Sequence, residues 1–340
     1  MSVTVVVGGF FGDEGKGKIV SHLVNDKSHS YKIVARGGVG PNAGHTVVIG
    51  DKVYKLRMVP SGFAGKNIEK LLIGPGVLID PQVLLNEIQL TKTMGKIFCD
   101  YQCGIINKAH IEKDKTNSHL KDQVGTSGSG TGPANEDRVR RILPLACDIP
   151  ELQNILIDVP LELHKALLDN KSVLVEGTQA THLSLWHGTY PHVTSKDVTA
   201  SAICSDVGIG PTNVTDVVLV FKAFVTRVGS LRAEKMENQL TDEETIKRGW
   251  VEYGTVTGRL RRAAPFSIPL AKRSIFLNGA TKLALTKLDI IFPEDSGKKE
   301  FEDLSSQAKG WVIEKEKQLG MKFSWIGTGP ADSEIITRKK

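Results

Sequence analysis

The chain has 340 residues, 40% of them hydrophobic and 24% charged, which is the composition of an ordinary globular protein with room for one to three domains. Its formal charge of +6 fits anionic substrates and a mildly basic surface equally well. No apolar run reaches the roughly 18 residues that a membrane-spanning helix needs, and residues 1–7 lack a signal-peptide pattern. The sequence therefore predicts a cytoplasmic protein without a membrane segment.

The cysteines form no C-x-x-C pair and show no metal-ligand spacing with the histidines. They are Cys99, Cys103, Cys147 and Cys204. We expect them to be buried, reduced thiols, as is usual in the cytoplasm.

Short apolar runs alternate along the chain with longer helical patterns, which predicts an α/β fold with a mainly parallel central sheet flanked by helices. The predicted strands are residues 3–7, 32–35, 71–73, 96–99, 172–175, 216–221, 283–286 and 322–326. The predicted helices are residues 15–23, 81–91, 149–168, 264–278 and 300–318. We expect a hairpin at residues 45–56 that turns at Gly50 and Asp51, and a surface helix or lid within residues 232–248. Because no repeat or linker interrupts the pattern, residues 1–340 are predicted to form a single domain.

A glycine-rich loop at residues 8–18 follows the first predicted strand and opens the first helix. Gly12, Gly17 and Lys18 have the spacing of a phosphate-binding P-loop, whose backbone amides hold phosphate oxygens. The usual Ser or Thr after the lysine is replaced by Ile19, so Asp13 is the nearest candidate ligand for Mg²⁺. A turn without a ligand is the alternative, which two lysines and two carboxylates among the glycines disfavour.

Two further glycine-rich segments carry polar side chains. Residues 36–46 follow another strand and include His45, which is either an acid toward a leaving group or a structural histidine. Residues 125–133 interleave hydroxyls with glycines, a composition that suits both a monophosphate site and a flexible linker.

The last two segments suggest recognition of anions and of a base. Residues 254–262 contain three arginines within four positions, which indicates a carboxylate or phosphate clamp or a solvated basic run. No aromatic residues interleave with this run, so nucleic-acid binding is disfavoured. Thr286, Lys287 and Asp289 resemble the N/T-K-x-D element of GTP-binding proteins, in which the aspartate accepts hydrogen bonds from guanine N1–H and the 2-amino group.

Together these loops resemble adenylosuccinate synthetase, in the same order and over nearly the whole chain. The most specific elements are G-D-E-G-K-G-K at residues 12–18, N-A-G-H-T at 42–46 and H-G-T-Y-P-x-V-T-S at 187–195. The resemblance implies a P-loop-NTPase-related α/β fold with small hairpin and helical excursions, a homodimer, and a ligase that uses IMP, GTP and L-aspartate. In that reaction the 6-oxygen of IMP attacks the γ-phosphate of GTP, and the aspartate amine then displaces phosphate from 6-phosphoryl-IMP.

The resemblance also implies roles for individual residues. The catalytic residues would be Asp13, which removes the N1 proton of IMP, His45, which donates a hydrogen bond to the departing β-phosphate, and Gln179. Mg²⁺ would lie against Asp13 and Gly44. GTP would contact Gly12, Glu14, Gly15, Lys16, Gly17, Lys18, Gly44, Thr46, Arg261, Lys287, Asp289, Gly327 and Gly329. IMP would contact Asp13, Asn42, Thr126, Ser127, Gln179 and Thr194, together with Arg141 from across the dimer interface, and aspartate would contact Thr257 and Arg259.

The sequence departs from the family pattern at several places. It is shorter than the long form of the family, with much of the loss after Asp289. Ser127 keeps the hydroxyl of a replaced threonine, whereas Val256 loses one in the aspartate loop. Residues 230–235 replace the family's G-P-F-P-T-E.

Parts of the sequence are also compatible with two functions other than the ligation of aspartate to IMP. Compact viral relatives resemble this family but aminate dGMP, and that branch tends to lack the aspartate of the first loop. Asp13 and the Thr286–Asp289 element therefore favour IMP and GTP. A regulatory GTP-binding protein would have no need of Gln179, of residues 187–195 or of the arginine loop.

Overall fold

A computed structural model of the chain describes residues 2–227, 233–253 and 260–338. The strands within these residues are β1 Val3–Gly8, β2 Tyr31–Arg36, β3 His45–Ile49, β4 Lys52–Leu56, β5 Lys70–Ile73, β6 Leu78–Ile79, β7 Ile97–Asp100, β8 Gly104–Ile105, β9 Leu156–Ile157, β10 Ser172–Glu176, β11 Asp216–Lys222, β12 Phe224–Arg227, β13 Arg262–Pro265, β14 Lys282–Thr286, β15 Phe323–Gly327 and β16 Ile335–Thr337. The α-helices are α1 Lys16–Asn25, α2 Pro81–Thr91, α3 Lys108–Thr116, α4 Thr131–Arg140, α5 Val159–Leu168, α6 Ala200–Val207, α7 Asp242–Lys247, α8 Ile268–Asn278, α9 Leu288–Ile291 and α10 Ser306–Leu319.

Ten strands form one sheet in the order β16-β15-β14-β11-β1-β10-β2-β5-β7-β9. In the part of the chain that the structure describes, every neighbouring pair in this sheet is parallel except β15 and β16. The central strand β1 is buried along its whole length, as expected of a Val-rich strand covered on both faces. All eight predicted strands belong to this sheet, so the predicted α/β fold is confirmed.

Helices cover both faces of the sheet. On one face, Val5 and Val7 of β1 pack in a core with α5, α6, α8 and α10. On the other, Val6 packs with α1 and α2. The predicted hairpin is confirmed as β3 and β4, which turn at Gly50 and Asp51. Among the described residues, no helix has the length and apolar character required to cross a membrane.

Three predicted helices were too long, because helix-start signals inside them were overlooked. The predicted helix 149–168 is a 3₁₀ segment, then β9, then α5, whose N-terminus is capped by Asp158 through a 2.8 Å bond from the Leu161 amide. The predicted helix 264–278 begins in β13, and α8 starts only after the cap Ser267. Within the predicted helix 300–318, the observed helix α10 begins only after the cap Ser305.

Two smaller predictions also need correction. Within residues 232–248 the helix is α7, which spans only Asp242–Lys247 and is opened by a capping box of Thr241 and Glu244. Cys147 is exposed, whereas Cys99, Cys103 and Cys204 are buried as predicted. A short polar segment carries too little periodic signal for the length of its helix to be predicted, and a single thiol carries too little for its burial to be predicted.

The parallel sheet determines where the loops meet. The segments after β1, β2, β10, β11, β14 and β15 all leave from the carboxyl edge of the sheet. In open α/β sheets this edge is where ligands bind.

Candidate active site

A first pocket of about 260 Å³ lies at the carboxyl edge of the sheet, over the N-terminus of α1. Its lining residues are Asp13, Gly15, Lys16, Gly17, Gly44, His45, Thr46, Glu252, Tyr253 and Lys287. The free amides and the positive dipole end of a helix N-terminus favour an anion, and Lys16 adds a cation. We therefore call this the phosphate pocket.

The loop before α1 is held from the inside by Glu14. This side chain is fully buried, and its Oε1 accepts hydrogen bonds from the amides of Phe10 (3.1 Å) and Gly12 (2.8 Å). Its Oε2 lies 3.3 Å from Lys16 Nζ. The carboxylate of Glu14 thus shapes the loop that opens the pocket.

His45 faces the phosphate pocket from β3 and is held by a buried carboxylate. Its Nδ1 contacts Glu176 Oε1, and because a carboxylate only accepts, Nδ1 carries the proton. Ser61 fixes the same carboxylate through its hydroxyl (2.5 Å) and its amide (2.7 Å). The other ring nitrogen, Nε2, is buried and has no hydrogen-bond partner among the residues that the structure describes.

The electrostatics around His45 favour the neutral ring in the free protein. Burial, and next the charge of Arg36, lower the pKa of His45 to about 4 even though Glu176 opposes them. Burial alone would raise the pKa of Glu176, but His45 and Arg36 outweigh it and hold that pKa at about 2. Arg36 is itself fully buried, with Nη1 3.7 Å from the carboxylate.

Asp13 adopts a left-handed backbone conformation (φ 59°) and lines the phosphate pocket. Its carboxylate is ion-paired with Arg261, which lies just before β13. Burial lowers the pKa of Arg261 to about 10, a value at which the guanidinium is still charged near neutral pH. Two residues predicted to serve the same reaction therefore neutralise each other in this structure.

The guanine-type motif lies beside the phosphate pocket. Lys287 precedes α9 and Asp289 lies in its first turn, while Thr286 donates a 2.7 Å hydrogen bond to the Glu14 carbonyl and so ties the motif to the first loop. Asp289 Oδ1 is buried without a hydrogen-bond partner in the described ranges. A buried acceptor whose hydrogen-bonding capacity is unused is suited to the N1–H and 2-amino donors of guanine.

Lys18 points toward the loop that follows β15. Its Nζ donates to the carbonyls of Gly329 and of Glu334, the latter at 2.9 Å. A Cβ on Gly327 would lie 3.1 Å from this Nζ. Burial lowers the pKa of Lys18 to about 8. Lys16 lines the phosphate pocket, whereas the amine of Lys18 supports the loop of Gly327 and Gly329.

A second pocket, of about 310 Å³, contains five of the residues predicted to contact IMP. They are Asn42, Thr126, Ser127, Gln179 and Thr194. The segment 42–46 lines both pockets, with Asn42 in the second and Gly44, His45 and Thr46 in the first. Neighbouring residues of one loop therefore line both pockets.

A chain of polar contacts orders the second pocket. Gln179 Nε2 donates to Asn42 Oδ1 (2.9 Å), and Asn42 Nδ2 donates to Thr194 Oγ1 (3.3 Å). Thr178 donates to the Gln179 side chain from the other side. Three segments that are far apart in sequence are thus aligned around one cavity.

The remaining predicted residues lie apart or outside the described residues. Arg141 caps the C-terminus of α4 and is exposed. Thr257, Arg259 and Val256 lie in residues 254–259, and half of the replaced segment 230–235 lies in residues 228–232; both ranges are outside the described residues.

Comparisons with known proteins show the family of the chain. The family model described as adenylosuccinate synthetase matches residues 5–151 and 145–296. The adenylosuccinate synthetase of Archaeoglobus fulgidus is 50% identical over 342 residues, covering 100% of this chain and 99% of the relative. That of Methanocaldococcus jannaschii is also 50% identical, over 339 residues, covering 99% of this chain and 96% of the relative. The chain belongs to the adenylosuccinate synthetase family.

Solved structures share the fold of this adenylosuccinate synthetase family member. The fully ligated adenylosuccinate synthetase from Plasmodium falciparum superposes with a TM-score of 0.91 at 26% identity, covering 100% of both chains. The succinoaminodeoxyadenylate synthetase of cyanophage S-2L, bound to dGMP and dATP, superposes with a TM-score of 0.83 at 22% identity, covering 100% of this chain and 96% of that chain. The second likeness extends to the fold alone.

Sequence reasoning overlooked several residues of this adenylosuccinate synthetase site. Glu176 and Arg36 end the apolar strands β10 and β2, and a charged residue at the carboxyl end of a buried parallel strand was the available signal. Glu252 lies two residues before the glycine-rich arginine loop. Ser61 gave no signal, because it reaches Glu176 only through the tertiary fold.

Proposed function

We propose that this chain ligates L-aspartate to IMP at the expense of GTP, through 6-phosphoryl-IMP, to give adenylosuccinate, GDP and phosphate. The observation that carries the proposal is that the segment 42–46 lines both pockets, with Asn42 in the second and residues 44–46 in the first. A nucleoside monophosphate in the second pocket and a triphosphate in the first would meet along this segment. Phosphoryl transfer depends mostly on such positioning and on charge stabilisation.

In the first step Asp13 takes the N1 proton of IMP while the 6-oxygen forms a bond to the γ-phosphorus of GTP. The bond from that phosphorus to the β–γ bridging oxygen breaks, and GDP leaves. Arg261, which is paired with Asp13 in this structure, would turn to the γ-phosphate and leave the carboxylate to act as the base. In the second step the aspartate amine forms a bond to C6 and phosphate departs.

His45 would stabilise the charge that develops on the departing β-phosphate. With its proton on Nδ1, the neutral ring presents Nε2 only as an acceptor. A bound triphosphate brings negative charge to the pocket, which favours a proton on Nε2 and turns that atom into a donor. Glu176 stabilises the resulting imidazolium from the other side of the ring.

The residues at the pocket also fit Mg²⁺. Asp13 offers one carboxylate and Gly44 a backbone carbonyl in the same pocket, and Mg²⁺ in phosphoryl-transfer sites takes few protein ligands beside substrate phosphates. When bound, the ion would neutralise phosphate charge. Thr257 and Arg259 are proposed to bind the aspartate substrate.

We further propose a homodimer in which Arg141 reaches the IMP site of the partner subunit. Val139, two residues before Arg141, and Ile142, directly after it, are 71% and 56% exposed, and apolar side chains near an arginine suit a protein interface. Mixing inactive Asp13→Asn and Arg141→Leu proteins tests this, because each mixed dimer would contain one intact site. Recovery of about a quarter of parental activity is expected for random exchange in a two-fold dimer. Failure to recover any activity after exchange would contradict the shared site.

The function itself is tested with purified protein, Mg²⁺, GTP and L-aspartate, by following product absorbance and phosphate release with IMP or with dGMP. Adenylosuccinate and one equivalent of phosphate with IMP alone is the expected result. Turnover with dGMP in place of IMP would assign the chain to the 2-aminoadenine branch. Phosphate release that needs neither aspartate nor a monophosphate would instead indicate a regulatory GTPase.

A further inference from the structure

Asp206 is a buried carboxylate that lines neither of the two pockets. It lies in the last turn of α6 and is 6% exposed. Its Oδ2 accepts a 2.7 Å hydrogen bond from the amide of Gly38, and its Oδ1 accepts one from Lys196 Nζ. Gly38 precedes Asn42 in the same loop, and Lys196 directly follows Ser195. Because Asn42 and Ser195 both line the second pocket, one carboxylate joins two segments that form its wall.

The loop that precedes Asn42 is held from two sides. Asp206 binds one of its amides, and the next amide, that of Val39, donates a 2.9 Å hydrogen bond to Thr178 Oγ1. The Thr178 hydroxyl donates in turn to the Gln179 side chain, which also lines the second pocket. A shift of this loop would therefore disturb the side chains that face the monophosphate pocket from two segments.

Lys196 connects the segment of Ser195 to the same carboxylate. Its Nζ also donates a 2.8 Å hydrogen bond to the Gly76 carbonyl, and the Gly76 amide donates to the backbone carbonyl of Asp206 (3.0 Å). A Cβ on Gly76 would lie 2.2 Å from Asp206 Oδ1, so the backbone packs directly against the carboxylate.

The charge of Lys196 favours the ionised form of Asp206. Burial raises the pKa of Asp206 to about 6, and Lys196 opposes that rise. An ionised carboxylate only accepts hydrogen bonds, so both of its oxygens are available to the Gly38 amide and to Lys196. Loss of the ammonium would leave a buried carboxylate without its cation, which destabilises the arrangement around it.

We propose that the Lys196–Asp206 ion pair positions the wall of the second pocket, so that it determines the affinity for the nucleoside monophosphate substrate without contacting that substrate. This rests on the proposed function, in which the second pocket takes IMP. Lys196 and Asp206 are positioning residues, because they act through the loop of Asn42 and the segment of Ser195.

The test compares Lys196→Met with Lys282→Met in steady-state kinetics at saturating L-aspartate, with kcat and the KM values for IMP and GTP measured. Lys282 is a matched control, because its side chain is 23% exposed, against 22% for Lys196, and its Nζ lies 3.0 Å from Asp216 Oδ2. Asp216 and Lys282 begin the parallel strands β11 and β14, at the amino edge of the sheet and away from both pockets. Each variant therefore loses one partly buried lysine–aspartate pair.

Lys196→Met is expected to raise the KM for IMP by about tenfold, since a hydrogen bond between charged groups is worth about that factor or more. The kcat and the KM for GTP should stay within about twofold of the parent, because Glu176 holds His45 of the phosphate pocket independently of this pair. Lys282→Met should leave all three constants within about twofold.

A double-mutant cycle with Asp206→Asn adds a second measurement. Asp206→Asn should raise the KM for IMP by a similar factor, and the double variant with Lys196→Met should raise it no further, because both changes break the same pair. Thermal unfolding checks that the variants are folded. Should Asp206→Asn fail to fold, the comparison of Lys196→Met with Lys282→Met decides alone, since Lys196 is the more exposed partner.

A KM for IMP within about twofold of the parent in Lys196→Met would overturn the inference while the proposed ligase function stands. Equal changes in Lys196→Met and Lys282→Met, or a lower kcat with an unchanged KM for IMP, would indicate a general structural effect and would also overturn it. A parent protein that makes no adenylosuccinate would instead remove the proposed function, and the inference with it.

Discussion

The two lysines of the first loop are predicted to affect different kinetic constants. Lys16 lines the phosphate pocket, whereas the Nζ of Lys18 bonds to the carbonyls of Gly329 and Glu334. By sequence spacing, Lys18 is the lysine of the P-loop. By structure, it supports the loop beside the guanine motif. Replacing each lysine with methionine separates these two interpretations.

The expected magnitudes follow from these contacts. A hydrogen bond from a charged donor contributes about 1.5–3 kcal/mol, so Lys18→Met should raise the KM for GTP by about 10–150-fold. Its kcat should change by less than about threefold, because no contact to the transferred phosphate is lost. Lys16→Met removes a cation from the phosphate pocket and should lower kcat by about 10²–10³-fold.

Steady-state kinetics with saturating IMP and aspartate and varied GTP measures both constants. Lys27→Met, at an exposed position just after α1, is the matched control and should behave like the parent. Equal losses of kcat in Lys16→Met and Lys18→Met, with an unchanged KM for GTP in the latter, would refute the assignment of Lys18 to the guanine side.

Three further predictions concern Asp289, His45 and Arg36. Asp289→Asn should shift the preference from GTP toward XTP by about 10-fold or more, since an amide pairs with the 2-oxo group of xanthine where a carboxylate pairs with the 2-amino group of guanine. Competition kinetics that still favour GTP to the parental degree would contradict the assignment of Asp289 to the guanine site. Binding of Mg·GDP near neutral pH should take up as much as about one proton per site. The reason is that His45, with a pKa of about 4 in the free protein, gains a proton when phosphate charge arrives. Titration calorimetry in buffers of different ionisation enthalpy measures the uptake, and His45→Asn should abolish it. Arg36→Met should lower the free energy of unfolding by about 3–5 kcal/mol, because it removes a buried cation that pairs with the Glu176 carboxylate. A loss below about 1 kcal/mol by denaturant titration would show that the pair matters little.

The sequence by itself determined the sheet and the positions of the principal loops. Continuous apolar runs such as Val3–Gly8 leave no solvent face, so they predict buried parallel strands whatever their neighbours are. The residues of the second pocket were identified from motifs, and the structure places Asn42, Gln179 and Thr194 together there. Local signals failed where cap residues such as Asp158 and Ser267 interrupt a helical pattern.

Only the tertiary structure decided which side chains face the pockets and which support them. Lys16 and Lys18 have the same side chain and lie two residues apart. The turn of α1 nevertheless directs Lys16 to the phosphate pocket and Lys18 to the loop of Gly329. Glu176 reaches His45 across 131 positions of sequence, and Glu252 reaches Lys287 across 35. Such contacts depend on strand order and crossover geometry, which bring distant charged groups into one buried environment. Strand order is not encoded in any short segment of the chain.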